Sequence, residues 1–389
     1  MIGRTRPAGT PLSPVGCLTL VLWLGACSDS VSGPQGDSCG PPPYFTALPV
    51  AVGDINLVTV VGGLGAPGHT LPTAHAGFAL ARAGVPVQSP GDLAVTDIRR
   101  VTYVASPTRQ GERDYALFFQ VCEELTGWFG HLTSLASTIP SNLEWTNCET
   151  YSTSDETVES CSVKPRDLTL PVGAAMGTGG LSAERGFLGL DFGMLDDRVE
   201  NFYLSPQRHP PPTLHSVCPW EQFDAANQAA LFSRLRDPAR PTELPAGTPR
   251  CGTMAVDVAG TAKGVWAEVG VTGQVAGDER RYLTLADYPY RPQEMLALSL
   301  GPATLGAAVY LVPRQTSGRV NRAFEQVTSN GQIHCYTPGA LNVGISWLLS
   351  VSPDNRLTIA RVSHAPDASP CDADPTTWSL GPTAVVMVR

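Results

Sequence analysis

Four side chains have types and spacing that suit hydrolytic chemistry. The stretch "GHTLPTAHAGF", residues 68–78, places His69 and His75 six apart among Pro and Gly. "GWFGHLTSL", residues 127–135, adds His131, and "FLGLDFGML", residues 187–195, adds Asp191. Imidazole and carboxylate are zinc donors, and a hydrolytic zinc needs three protein ligands with a fourth position open to water. The same residues also have plainer roles. A histidine in a Gly/Pro-rich turn hydrogen-bonds its own loop, His131 fills a polar notch beside Trp128 and Phe129, and Asp191 caps the glycine-rich loop before it.

Strands must position these groups. Residues 85–106, "VPVQSPGDLAVTDIRRVTYVAS", alternate apolar and polar side chains around turn signals, which predicts a pair of strands. "DYALFFQVCEELTGWFGHLTSLA" begins as a strand, and the polar residues 138–165 read as a long loop or a hairpin insertion. In "FLGLDFGML", period two puts Leu188, Leu190, Phe192 and Met194 on one face and Gly189, Asp191 and Gly193 on the other. "EQFDAANQAALFSRLRD" is the most helical stretch, with Phe223, Ala226, Ala230 and Leu231 as its apolar stripe and Asp237-Pro238 as its stop. Short β-rich runs return after Cys251: "GTMAVDVAG", "GVWAEVGVTG", "RYLTLAD", "AAVYLVP", "GISWLLSVS" and "RLTIARVS". With 39 Gly, 35 Pro and only 16% charged residues, the chain reads as mainly β. The expected organisation is an antiparallel β domain over 46–205, a proline-rich joint with one helix over 206–250, and a C-terminal β sandwich or barrel over 251–389.

The N-terminus predicts export. Arg4 and Arg6 precede the apolar run "VGCLTLVLWLGA", whose 12 residues fall short of the ~20 that a spanning helix needs. Residues 1–26 therefore read as a signal peptide. Leu24-Gly25-Ala26-Cys27 resembles a bacterial lipobox, which implies cleavage before Cys27 and lipidation of its thiol. Residues 27–45 read as a polar tether. Eight cysteines then remain (Cys39, Cys122, Cys148, Cys161, Cys218, Cys251, Cys335 and Cys371), an even number that predicts disulfides in an exported chain. Connectivity stays open, with Cys148–Cys161 and Cys335–Cys371 as the expected local pairs. The net charge of −9, without a basic cluster, argues against a nucleic-acid partner.

Three segments in order resemble the lysostaphin-type zinc endopeptidases of peptidoglycan, over about residues 46–200. "HAGFALARAGVPVQSPGDLAV" follows the layout of that family's first motif from His75 to Val95, "GWFGHLTSL" its second, and "GTGGLSAERGFLGLDFG" its third. The resemblance implies a duplicated-hybrid-motif fold in the N-terminal domain. It also implies a ligand role for His75 and a catalytic role for His131. The sequence departs from the pattern at three positions. The family's metal-binding Asp falls on Ala79, and its His-x-His pair falls on Gly189 and Asp191. The first expectation is therefore an exported lipoprotein, anchored at the bacterial cell envelope in the periplasm or at the surface. Its peptidase-like domain would be non-catalytic, hold no cofactor, and bind a cell-wall glycopeptide, a polysaccharide or an envelope protein. The second is an active zinc metallopeptidase with the rebuilt set His69, His75 and Asp191, and His131 as proton carrier. The third is a purely structural surface lipoprotein.

Overall fold

The structure, a computed structural model, describes residues 38–66, 68–152, 156–182, 188–238, 240–245, 247–274, 279–338 and 344–389. Cys27 and the signal segment lie outside the described residues. The chain is mainly β, as its composition predicts, and every strand pairing within its two sheets is antiparallel.

The first sheet holds β1 (Ile55–Val58), β2 (Ala76–Leu80), β3 (Val85–Gln88), β4 (Leu93–Ala105), β5 (Arg113–Cys122), β6 (Leu125–Leu135), β7 (Thr146–Ser152), β8 (Thr157–Val163), β9 (Thr169–Leu170), β10 (Ala175–Gly179), β11 (Leu181–Ser182), β12 (Leu188–Asp196) and β13 (Ser216–Val217). Its main path runs β1-β2-β12-β6-β5-β4-β8-β7. The last strand of the "FLGLDFGML" motif is thus inserted between the two strands that adjoin or carry the histidines. The polar stretch 138–165 is the β7–β8 hairpin, closed by the Cys148–Cys161 disulfide.

The inner face of this sheet is aromatic. Leu190, Phe192 and Met194 are fully buried on one side of β12, as the alternation predicts. Phe192 stacks on Phe129 of β6 at 4.4 Å and packs against Phe45, Trp220 and Phe223. Two helices follow, α1 (Pro211–His215) and α2 (Ala225–Ser233). Asp224 caps α2 by accepting the Asn227 N–H at 2.9 Å. The helix buries Leu231 and Phe232, while Ala226 is exposed, so the stripe is narrower than predicted. It ends at Ser233, short of Asp237-Pro238, because Leu235 turns back into the core and the Arg234 carbonyl accepts the Val58 N–H.

The second sheet holds β14 (Gly264–Glu268), β15 (Tyr282–Asp287), β16 (Met295–Leu300), β17 (Ala308–Pro313), β18 (His334–Tyr336), β19 (Ile345–Val351), β20 (Leu357–Ser363) and β21 (Val385–Val388), in the order β17-β16-β15-β14-β21-β20-β19-β18. All eight strands send side chains into one core around Trp266, Leu298, Trp347 and Ile359. The Tyr310 and Trp347 rings meet at 4.2 Å across that core, so the sheet curls almost into a barrel. "GTMAVDVAG" is not a strand. Its Asp257 carboxylate accepts the Leu204 and Val265 N–H groups at 2.8 and 2.7 Å, which fixes the segment as irregular chain.

Four disulfides are present: Cys39–Cys122, Cys148–Cys161, Cys218–Cys251 and Cys335–Cys371. They include both predicted local pairs and suit an oxidising, extracytoplasmic compartment. No helix among the described residues is long and apolar enough to cross a membrane.

Phe192→Ala would open a cavity at the centre of five aromatic rings. The expected loss is about 3–5 kcal/mol in urea unfolding, the usual cost of such a truncation. A loss under about 1 kcal/mol would show that the ring cluster is not the core of the first sheet.

Candidate functional site

The register brings three of the four predicted side chains together. Asp191 on β12 lies opposite Gly77 of β2 and Gly130 of β6. A Cβ at Gly130 would stand 3.4 Å from the Asp191 Oδ2, and one at Gly77 would stand 3.6 Å from its Oδ1. Both distances are ordinary van der Waals contacts, so the carboxylate lies close against the two glycines. His75 immediately precedes β2, and its Nδ1 lies 3.6 Å from Asp191 Oδ1. His131 lies on the other side, with Nε2 3.2 Å from Asp191 Oδ2.

His131 reaches this position through a bulge. Tyr115 pairs with Leu132 and Leu117 with Phe129, so β6 carries an extra residue there. His131 takes the strain with φ of +64°, a conformation uncommon outside glycine. Its Nδ1–H donates to Asp114 Oδ2 at 2.8 Å. An imidazole that donates from both nitrogens is a cation. Burial alone would lower its pKa, but the charge of Asp191 and the bonds to Asp114 and Asp191 hold it well above the ordinary histidine range. Burial likewise pushes Asp191 up, and the charges of His75, His131 and His69 more than reverse this, holding it far below the usual carboxylate range. Side-chain exposures of 21% for His75, 26% for Asp191 and 31% for His131 leave the cluster open to solvent.

His69 arrives by a fold-back of the chain. Gly65 and His69 exchange backbone hydrogen bonds at 2.6 and 3.0 Å, and Gly62 and Gly63 bond to Thr73, which makes a narrow hairpin of this segment. The His69 and His75 ring centres are 5.8 Å apart, nearly perpendicular. Glu279, from the turn leading into β15, holds the returning arm, with its Oε2 accepting the Leu71 N–H at 2.8 Å. Leu71 itself is buried against Tyr203, Val265 and Tyr282.

Zinc can be tested against this donor set. Tetrahedral bonds of 2.0–2.1 Å place ligand atoms roughly 3.3 Å apart. Among the described residues, the one group of three donors that lie within 4.8 Å of one another is Cys39, Cys122 and Glu124, and those cysteines form a disulfide. The predicted ligand set His69, His75 and Asp191 is thus not such a group, nor is His75, Asp191 and His131. Asp191 lies between the two histidines as a bridge. The metal-ligand and histidine positions that the resemblance implies at Ala79 and Gly189 pair directly with each other across β2 and β12, one a methyl and the other without a side chain. As placed, the residues do not fit a zinc ion, and the set reads as an ion-pair cluster.

Asp114 and Glu279 were not legible as site residues. Asp114 lies 17 positions from His131 and Glu279 lies 208 from Leu71, so neither forms a local motif. Gly77 and Gly130 did carry a signal, since each neighbours a histidine motif on a strand where glycine is otherwise disfavoured.

No family model matches the chain, and no curated protein matches it. Among solved structures, one described as a zinc containing peptidase from Vibrio cholerae is similar at a TM-score of 0.22 and 15% identity, over 40% of this chain and 38% of that one. The chain thus spans well under half the length of that protein, and so low a score carries no argument about fold or activity.

Burial pushes the Glu279 carboxyl up to about 7, against the pull of the Leu71 and Thr70 N–H groups. The unfolded carboxyl titrates near ~4.3, so the native state binds the proton more tightly. Stability should therefore fall as pH rises from about 4.3 to about 7, and level off above that. Glu279→Gln should remove this part of the slope in urea midpoints measured across the window. An unchanged slope would show that Glu279 does not titrate in this range.

Proposed function

We propose that this protein is an exported cell-envelope protein whose N-terminal β domain keeps a peptidase-like layout as a binding surface. Anchoring through a lipid on Cys27 belongs to the same reading. The observation that carries it is the state of Asp191. One of its oxygens lies 3.2 Å from His131 Nε2 and the other 3.6 Å from His75 Nδ1, whereas a hydrolytic site would aim its donors at a common metal position. Ala79 and Gly189 supply no donor to replace them. The domain would bind a cell-wall glycopeptide, a polysaccharide or an envelope protein without cutting it.

A second reading is favoured by one contact. Asp114 holds the His131 Nδ1 in the manner of carboxylates that orient catalytic or metal-bound histidines. Under that reading His75, Asp191 and His69 would have to rearrange before they could hold a zinc ion, whose chemistry would be Lewis-acid activation of water, and His131 would move a proton at its Nε2.

Cosedimentation with purified peptidoglycan sacculi separates the two. The binding reading expects the protein in the pellet, no release of soluble fragments with or without added zinc, and no gain of activity at any zinc level. Zinc-dependent release of fragments, abolished in His75→Ala, would overturn it in favour of the enzyme.

A further inference from the structure

On the outer face of the first sheet a row of flat groups leads into the Asp191 cluster. Phe118 of β5 and Trp128 of β6 are cross-strand partners with ring centres 6.4 Å apart and planes within 28°. The Arg99 guanidinium lies 5.2 Å from the Phe118 ring centre at one end. His75 stands at the other, 6.3 Å from Trp128 and nearly perpendicular to it.

Gly193 explains why the indole lies down. It is the β12 partner of Trp128, and a Cβ there would meet three indole atoms at 2.2, 2.3 and 2.4 Å. Such similar distances mean that the ring plane lies flat over the glycine. Any side chain at position 193 would lift it. Phe118 and Trp128 are only partly buried, unlike Phe119 and Phe129, which alternate with them and fill the core. Asp191, two residues before Gly193, faces the same side.

We infer that this row is a binding site for a neutral glycan chain, with pyranose rings stacked on Trp128 and Phe118 and hydroxyls bonded by Arg99, Asp191 and His75. The inference rests on the binding reading above and names its ligand class. A sugar ring has an apolar C–H face and a rim of hydroxyls, so it needs a flat apolar tile beside in-plane donors and acceptors. The row offers that alternation. Stacked nucleobases would also suit aromatic faces, but their phosphates would meet an acidic chain and the Asp191 carboxylate. A stable protein partner generally buries about 800 Å² per side around a broad apolar centre, and this row is one ring wide with charge at both ends.

The test uses isothermal titration of the intact protein with a β-1,4-linked N-acetylglucosamine hexamer. The wild type should bind, and Trp128→Ala and Phe118→Leu should each weaken binding about tenfold or more. Phe118→Leu keeps apolar bulk and loses only the flat ring, so it carries the test if Trp128→Ala fails to fold by circular dichroism. Equal affinity in wild type and Phe118→Leu would overturn the row as the site. No hexamer binding by a wild type that still cosediments with sacculi would overturn the glycan assignment and leave the binding reading standing. No binding to either would overturn both.

Discussion

The outer face of the first sheet is organised by one carboxylate. Asp191 sits in the middle of a sheet, on the strand between the two that adjoin or carry its histidine partners. A charged group there is tolerated only because opposite charge and hydrogen bonds surround it. His131 supplies these at 3.2 Å, His75 lies 3.6 Å away on the other side, and Gly77 and Gly130 flank the carboxylate on the neighbouring strands. The cost is local strain, since His131 reaches Asp191 only through a bulge and a left-handed backbone. Asp114 then fixes the ring in that pose.

The same arrangement supports the proposed binding reading over a hydrolytic one. A hydrolytic metal centre keeps its donors pointed at a common vacancy, whereas here the histidines lie on either side of Asp191 and do not converge. The cluster is nevertheless partly exposed, at the end of the aromatic row that Gly193 allows to lie flat. Its surface joins flat apolar faces to polar rims. The second sheet contributes at a distance, through Glu279, which fastens the returning arm of the His69 hairpin.

Much of this was legible where a local pattern carries the information. Alternation gave the strands over 85–106 and the two faces of β12, while for the cysteines only the two local pairs, Cys148–Cys161 and Cys335–Cys371, were anticipated and the rest of the connectivity stayed open. β16 escaped because "MLALSL" does not alternate. It is buried on both faces, with Leu298 in the core of the second sheet and Ala297 packed against the core of the first. "GTMAVDVAG" misled because its alternation is strand-like, while Asp257 binds backbone N–H groups from two other segments. Among the site residues, the histidines and Asp191 stood out by type. Their mutual arrangement did not, because it depends on one inserted residue in β6 and on pairing across strands.

The central claim is that His131 is held as a cation by two carboxylates and is not recruited by a metal. The direct measurement is the imidazole titration of His131 by NMR, first in chelator and then with one equivalent of zinc. The account predicts a pKa well above ~6.5 in chelator, with resonances of His131 and His75 unchanged by zinc. A stoichiometric zinc-induced shift of the His75 and His131 resonances would contradict it and restore a metal centre at Asp191.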